Sequence, residues 1–154
     1  MVSIMLTNKE LVLEILKQYA SDNAKAIQNN ADEMTGTELY ENEAFIPEFS
    51  EAVKLKNMLT RKAGFVCKSP AGRIVRLIQP YDSGIYTDEP EKLIAQWGFK
   101  WSTDPAKALP FIALATSPYM KDDCCTENGN TYRSNNDNNV HAPSEWAQGW
   151  ELVE

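Results

Sequence analysis

The residues of this chain best suited to chemistry are aromatic side chains close to asparagines near its C-terminus. Flat aromatic faces stack on the apolar faces of sugar rings, and amide groups both donate and accept hydrogen bonds. This pattern predicts a shallow, weak, metal-free glycan site formed by Trp146 with help from Tyr119 and Asn139. Tyr132 and Trp150 are further aromatics of the same region, which we interpret as members of a small core.

Catalytic and metal chemistry find little support in the sequence. His141 is the only histidine, and its asparagine-rich loop has no acidic residue at a recognisable motif spacing, so we interpret it as a surface or subunit-contact residue. The carboxylates of Asp122 with Asp123 and of Glu41 with Glu43 lack a cleft to place them at catalytic separation. No phosphate-binding loop is present. The sequence therefore predicts a non-enzymatic protein with no catalytic residue, no cofactor and no metal.

The three cysteines are an odd number, which argues against a secreted disulfide framework. Cys124 and Cys125 are adjacent, and neighbouring side chains on a strand face opposite sides of a sheet. We therefore expect one of them to lie inward, as Cys67 does, and the other to face outward. The outward thiol would be open to an interchain disulfide in oxidising surroundings. No second Cys or His pair stands at zinc-ligand spacing.

An internal repeat indicates which structural units position these residues. Segments 67–76 and 124–133 share Cys, Gly and Arg at identical spacing. A proline and a tryptophan follow each segment at matched separation: Pro90 and Trp97 after the first, Pro143 and Trp150 after the second. Turn residues divide β-like runs in both copies, which predicts two hairpins. We expect residues 64–97 and 119–150 to form antiparallel meanders of the same topology.

A long helix is predicted at the N-terminus. Thr7 or Asn8 can cap it, and Leu11, Ile15 and Tyr19 form part of an apolar stripe at helical spacing. Two interpretations stay open: the stripe packs on the helix's own domain, or it forms the seam of a dimer or trimer.

The fold class that follows is α+β, with an N-terminal helix and two small antiparallel β modules of related topology. The expected domains are an oligomerisation or anchoring helix (1–31), an acidic helical segment with the first module (32–103), a linker (104–118) and the second module (119–154). Each module is too small to bury much apolar surface alone, so it needs a disulfide, a neighbour or an oligomer.

The second copy resembles a known family. The residues that carry the resemblance are Tyr119, Cys124, Asn128 to Ser134, Asn138 to Val140, Pro143 and Gly149 to Val153. They are similar to the chitin-binding-type modules of bacterial chitinases, and more so to tandem modules in phage and prophage proteins of gut bacteria. Those modules follow an N-terminal helix and an acidic segment similar to Glu38-Leu39-Tyr40. The chain departs from the pattern at His141, where an aromatic is common, and at Val75, which replaces a strand tyrosine.

The resemblance implies a virion structural protein of the head fibre, capsid decoration or tail fibre type. Such a protein would bind itself, other virion proteins such as capsid or tail, and glycans of cell surfaces or mucus. The alternatives are a free-standing sugar-binding module, or a structural spacer without a ligand.

The composition of the chain also indicates which classes of partner it does not bind. The chain has 154 residues, 24% of them charged, and a formal net charge of −7. Nucleic acids and anionic membranes attract basic surfaces, so we expect neither as a partner. No apolar run approaches the length of a membrane span, and residues 1–6 lack the basic and long hydrophobic regions of a signal peptide. We therefore expect assembly in the host cytoplasm and location in the virion.

Overall fold

The computed structural model describes residues 5–154 and shows the α+β fold that the sequence predicts. A long helix, α1 (Asn8–Asn30), comes first, and two β-sheets follow it. Residues 1–4, which begin both the predicted helical segment 1–31 and the stretch examined for a signal peptide, lie outside the described residues.

Local capping decides where the first helices begin. The Thr7 hydroxyl accepts a hydrogen bond from the Glu10 backbone N–H, and the Glu10 carboxylate accepts one from the Thr7 N–H. This capping box satisfies donors that the first turn of a helix otherwise leaves free. A second capping box starts α2 (Gly36–Glu41), and α3 (Phe49–Leu55) follows.

The first sheet is an antiparallel meander. Its strands pair in chain order and are β1 (Val66–Lys68), β2 (Ile74–Leu77) and β3 (Trp97–Phe99). Gly72, with φ of 90°, lies in the turn between β1 and β2. Glycine adopts this left-handed conformation without a steric penalty, so the predicted turn forms where expected.

The second sheet has four strands, also paired in chain order. They are β4 (Leu109–Pro110), β5 (Cys124–Glu127), β6 (Asn130–Ser134) and β7 (Trp150–Val153). β4 runs parallel to β5, and the other pairs are antiparallel. The sheet is therefore mixed rather than purely antiparallel as predicted, because the segment expected to be a linker supplies its first strand.

The repeat is present, but its register differs by one residue from the sequence match. Cys67 lies opposite Val75 in the first hairpin, and Cys125 lies opposite Tyr132 in the second. Cys67 is therefore equivalent to Cys125 and not to Cys124. Seven residues lie between Cys67 and Val75, and six lie between Cys125 and Tyr132. The connection between equivalent positions is thus one residue longer in the first hairpin, and sequence spacing alone hides this difference.

Both sheets contribute to one aromatic core. Trp97 on β3 and Trp150 on β7 occupy equivalent positions, and both belong to the same buried cluster. Within it, the rings of Trp101 and Tyr119 stack with centroids 4.2 Å apart, and Tyr119 meets Trp150 edge-on at 5.4 Å. The predicted boundary between two separate modules is therefore wrong, because their closing tryptophans share a core.

The predicted linker, 104–118, is part of this core. Phe111 stacks on Tyr119 at 5.3 Å, Leu114 is buried, and the Ser117 carbonyl accepts a hydrogen bond from the Trp101 indole N–H at 3.0 Å. Proline at both ends gave the segment the composition of a linker. Its apolar side chains fill the core because sheets this small bury too little surface alone.

A second apolar cluster attaches the C-terminal half of α1. Ile27 and Ala31 pack there with residues that include Leu39 and Ile74. The buried Tyr40 hydroxyl accepts a hydrogen bond from the Ile74 N–H at 3.0 Å and donates one to a backbone carbonyl at 2.9 Å. The helix therefore packs on its own domain, as one of the two interpretations held, but only over its C-terminal half.

All three cysteines are buried and free. The expectation that either Cys124 or Cys125 would face outward, open to an interchain disulfide, is wrong. The Cys124 sulfur lies 3.7 Å from the Thr103 carbonyl oxygen, so chain outside the sheet covers the face that we expected to be open. Burial raises the pKa of the Cys125 thiol to about 12, and a protonated, buried thiol is a poor nucleophile.

A buried arginine links the two halves of the body. Arg73 donates to the Glu91 carboxylate at 3.4 Å and to the Pro110 carbonyl at 2.7 Å, and both charged side chains are almost fully buried. Arg73 follows the first hairpin turn, whereas Pro110 lies on β4 of the second sheet. The guanidinium thus joins the sheets through polar contacts beside their shared core.

Replacing Arg73 with Ala should destabilise the protein by about 3 kcal/mol, because the buried Glu91 carboxylate then loses its partner. Urea unfolding followed by circular dichroism measures this change. Arg76→Ala is the matched control, because its partner Asp32 is well exposed to solvent, and it should cost clearly less. Equal losses for the two variants would show that the buried Arg73 contributes no more to stability than the exposed Arg76 does.

Candidate glycan-binding surface

Trp146 lies in the loop between β6 and β7, at the surface. The Ala142 carbonyl accepts hydrogen bonds from the backbone N–H groups of Glu145 and Trp146, at 2.9 and 3.0 Å. A short 3-10 turn, Ala147–Gly149, follows and leads into β7. A Cβ atom on Gly149 would lie 2.3 Å from the indole ring. Glycine at this position therefore lets the ring lie against the backbone while 36% of the residue stays exposed.

His141 and Glu145 complete the surface around Trp146. The three residues line a shallow cavity of about 320 Å³. The imidazole meets the indole edge-on with centroids 6.0 Å apart, and its Nδ1 lies 4.0 Å from Glu145 Oε2. An aromatic face beside an imidazole and a carboxylate suits a small polyhydroxylated ring, because stacking and hydrogen bonding then act together.

Asn139 positions the loop rather than the ligand. Its side-chain amide donates to the Gly149 carbonyl at 3.1 Å, and its oxygen accepts from the His141 N–H at 3.2 Å. The Trp150 indole N–H also donates to the His141 carbonyl, at 2.7 Å. These bonds hold the two ends of the candidate surface to the core of the second sheet.

Of the three predicted glycan-site residues, the structure leaves Trp146 at the surface and buries the other two. Tyr119 is 1% exposed and Asn139 is 2% exposed, so neither can touch a bound sugar. Tyr119 lies within the aromatic stack, where burial raises the pKa of its hydroxyl, and its backbone pairs with that of Asn139. The prediction that they help Trp146 in binding is wrong. Tyr119 is part of the aromatic core, and the Asn139 side chain is buried in hydrogen bonds to the backbone of the loop.

Sequence reasoning assigned His141 to a surface contact and did not consider Glu145. The signal that could have found them is local. The two residues stand four apart, and Trp146 follows directly, so one turn of chain brings all three together.

The equivalent position in the first sheet holds a different side chain. Leu93 precedes Trp97 by the same interval that separates Trp146 from Trp150, and it packs against the core. The aromatic surface of the second sheet is therefore not repeated at this position of the first. The prediction that the second copy is the better candidate for glycan binding stays a prediction.

The residues predicted as the oligomer seam lie on the exposed half of α1. Leu11, Ile15 and Tyr19 are between 50% and 60% exposed. Tyr19 is the last of them and meets Phe45 of the body edge-on, with centroids 6.0 Å apart. The seam residues are thus available to a partner.

Two further properties of residues 5–154 concern metal binding and membrane spans. Within this range, no group of three or more His, Cys, Asp or Glu side chains is arranged to hold a metal ion. None of the helices described there is long and apolar enough to cross a bilayer. Comparison with known proteins finds no matching family model, curated protein or solved structure.

Replacing Gly149 with Ala should displace the Trp146 ring, because the new methyl group would overlap it. The indole N–H resonance of Trp146, assigned from a Trp146→Phe variant, should shift in a two-dimensional NMR spectrum. The control is Gly129→Ala, where an added Cβ meets nothing within 4 Å although φ is 82°. That variant should lose about 1 kcal/mol of stability to backbone strain and keep the resonance in place. An unmoved resonance in Gly149→Ala would contradict the described packing.

Proposed function

We propose that this chain is a non-enzymatic structural protein of a phage virion, of the head fibre, capsid decoration or tail fibre type. It assembles through α1 and displays the two sheets, the second of which carries a weak glycan-binding surface. Its partners are further copies of itself, other virion proteins such as capsid or tail, and surface or mucus glycans. The sequence resemblance to modules of phage proteins supports this class.

The observation that carries the proposal is the uncovered apolar half of α1. Six large apolar residues within three turns are between 46% and 60% exposed: Leu11, Val12, Leu13, Ile15, Leu16 and Tyr19. Burying apolar surface stabilises by about 25 cal/mol per Å², and monomeric proteins seldom leave a large contiguous apolar patch in water. A protein built to assemble explains this face, whereas an isolated sugar-binding module leaves it without a role.

The glycan surface suits a particle that carries many copies. One stacked indole with two polar neighbours gives a weak site, because association costs much of the energy that a single ring contributes. Many weak sites on one particle still give strong retention through avidity. The alternatives are a free-standing sugar-binding module, which predicts a monomer, and a spacer without a ligand, which predicts an oligomer that binds no glycan.

Replacing both Leu11 and Ile15 with Asp should dissociate the assembly. Charged groups in an apolar seam would have to be buried without partners, at a cost of several kcal/mol. Light scattering should show the wild type as an oligomer and the variant at monomer mass, 17.4 kDa. Leu55→Asp is the control, since Leu55 is an exposed leucine on α3, and it should keep the oligomer. A variant that kept its wild-type mass would exclude α1 as the seam.

Replacing Trp146 with Ala should abolish glycan retention by the assembled protein, because it removes the stacking face. A glycan array probed with wild-type and variant assemblies measures the loss. Tyr86→Ala removes an exposed aromatic from the loop between β2 and β3 and should bind as the wild type does. Equal binding by Trp146→Ala, or no binding by any assembly, would leave the second sheet as a spacer.

A further inference from the structure

The exposed side chains of α1 change character halfway along the helix. Up to Tyr19 they include the large apolar residues described above. Beyond Tyr19 the exposed side chains are mainly polar or charged: Ser21, Asp22, Lys25, Asn29 and Asn30. We infer that the apolar half is covered by α1 of a second copy and that the two helices run parallel. This inference rests on the proposed assembly through α1 and adds the partner and its direction.

The shape and charge of α1 favour a second copy as the partner. The uncovered face is elongated, and another α1 offers an elongated face of the same kind, so one contact covers both. The charged residues of α1 cancel: Lys9, Lys17 and Lys25 against Glu10, Glu14 and Asp22. The net charge of −7 therefore lies on the rest of the chain, and two copies that meet through α1 avoid bringing like-charged surfaces into contact.

Full antiparallel overlap does not cover the face. It would place the apolar half of each helix against the polar half of the other, so large side chains such as Leu16 would face groups such as Asp22. A parallel pair places apolar half on apolar half, with Tyr19 of both copies at the same level. The distribution of residue types along α1 therefore excludes a fully overlapped antiparallel pair.

An antiparallel pair that overlaps only at the N-terminal halves would place apolar residues against apolar residues. It would leave the apolar surface near Tyr19 and Phe45 exposed to solvent. The apolar face continues from Tyr19 onto Phe45. Phe45 lines an open groove of about 670 Å³ whose walls include Ala24, Ile46 and Phe65. An antiparallel pair centred on the N-terminal halves keeps this level of the two copies apart, whereas a parallel pair brings Tyr19 and Phe45 of both chains side by side.

The spacing of the shared face supports the same direction. Val12, Leu16, Tyr19 and Asn23 follow one another at steps of four, three and four, which is the repeat of a coiled-coil seam. Ile15 flanks this line, and Leu11 lies at the edge of the same apolar face. In a parallel pair Asn23 faces Asn23, one turn beyond the apolar stretch. A single asparagine in such a seam fixes register, because any shift buries its amide against apolar groups.

Disulfide cross-linking in the full-length chain tests the direction. The native cysteines are buried, so a single introduced cysteine reports on its own position. Tyr19→Cys and Asn23→Cys should each form covalent dimers when oxidised alone. Glu14→Cys is the matched control and should stay uncross-linked, because Glu14 is exposed and lies on the opposite side of the helix from Val12, Leu16 and Tyr19. Light scattering of each reduced variant shows whether the assembly persists, and Asn23→Cys gives a reading that does not depend on removing Tyr19.

A covalent dimer of Tyr19→Cys without one of Asn23→Cys would show the fully overlapped antiparallel pair, which also places Tyr19 opposite Tyr19, and would refute the parallel direction. Dimers that form only when Met5→Cys and Tyr19→Cys chains are co-expressed would show antiparallel pairing of the N-terminal halves, and would refute the direction while the assembly through α1 stands. An oligomer that cross-links at none of these positions would show that the seam lies elsewhere. A wild-type protein of monomer mass would refute both this inference and the proposed assembly.

Discussion

The stacking of Trp101 on Tyr119 is the contact on which the rest of the body depends. Trp101 follows the last strand of the first sheet, and Tyr119 precedes the main strands of the second, so their contact joins the sheets. Phe111 and Trp150 extend the same cluster. Each sheet has strands of two to five residues and too little apolar surface for stability by itself. One shared aromatic core gives both sheets the apolar burial that neither has by itself.

That shared core also decides the role of the second sheet's loops. Because Tyr119 and Asn139 are committed to the interior, the loop from His141 to Trp146 is held firmly from below while its outer face stays free. Asn139 connects to both ends of this loop through its amide. These hydrogen bonds would reduce the conformational entropy that the loop loses in the proposed glycan binding.

Unlike this loop, α1 is only partly packed against the rest of its own chain. Its C-terminal half is held by Ile27 and Ala31, whereas its N-terminal half extends past the body with its apolar side chains exposed. The capping box at Thr7 stabilises the start of the helix locally. The exposure of its apolar face, by contrast, is the basis of the proposed assembly through α1.

The sequence alone determined the features that depend on neighbouring residues. The Thr7 cap, the helical stripe through Ile15 and the hairpin turns at Gly72 and Gly129 follow from local spacing and backbone preference, and the matched Trp97 and Trp150 revealed the repeated topology. Tertiary structure decided what depends on distant residues. It made Cys67 equivalent to Cys125 rather than to Cys124. It also turned the expected linker into strand and core, and it buried Tyr119 and Asn139 while leaving Trp146 exposed. The physical reason is that burial is settled by competition among all apolar groups for one small interior, and local sequence does not encode which of them succeed.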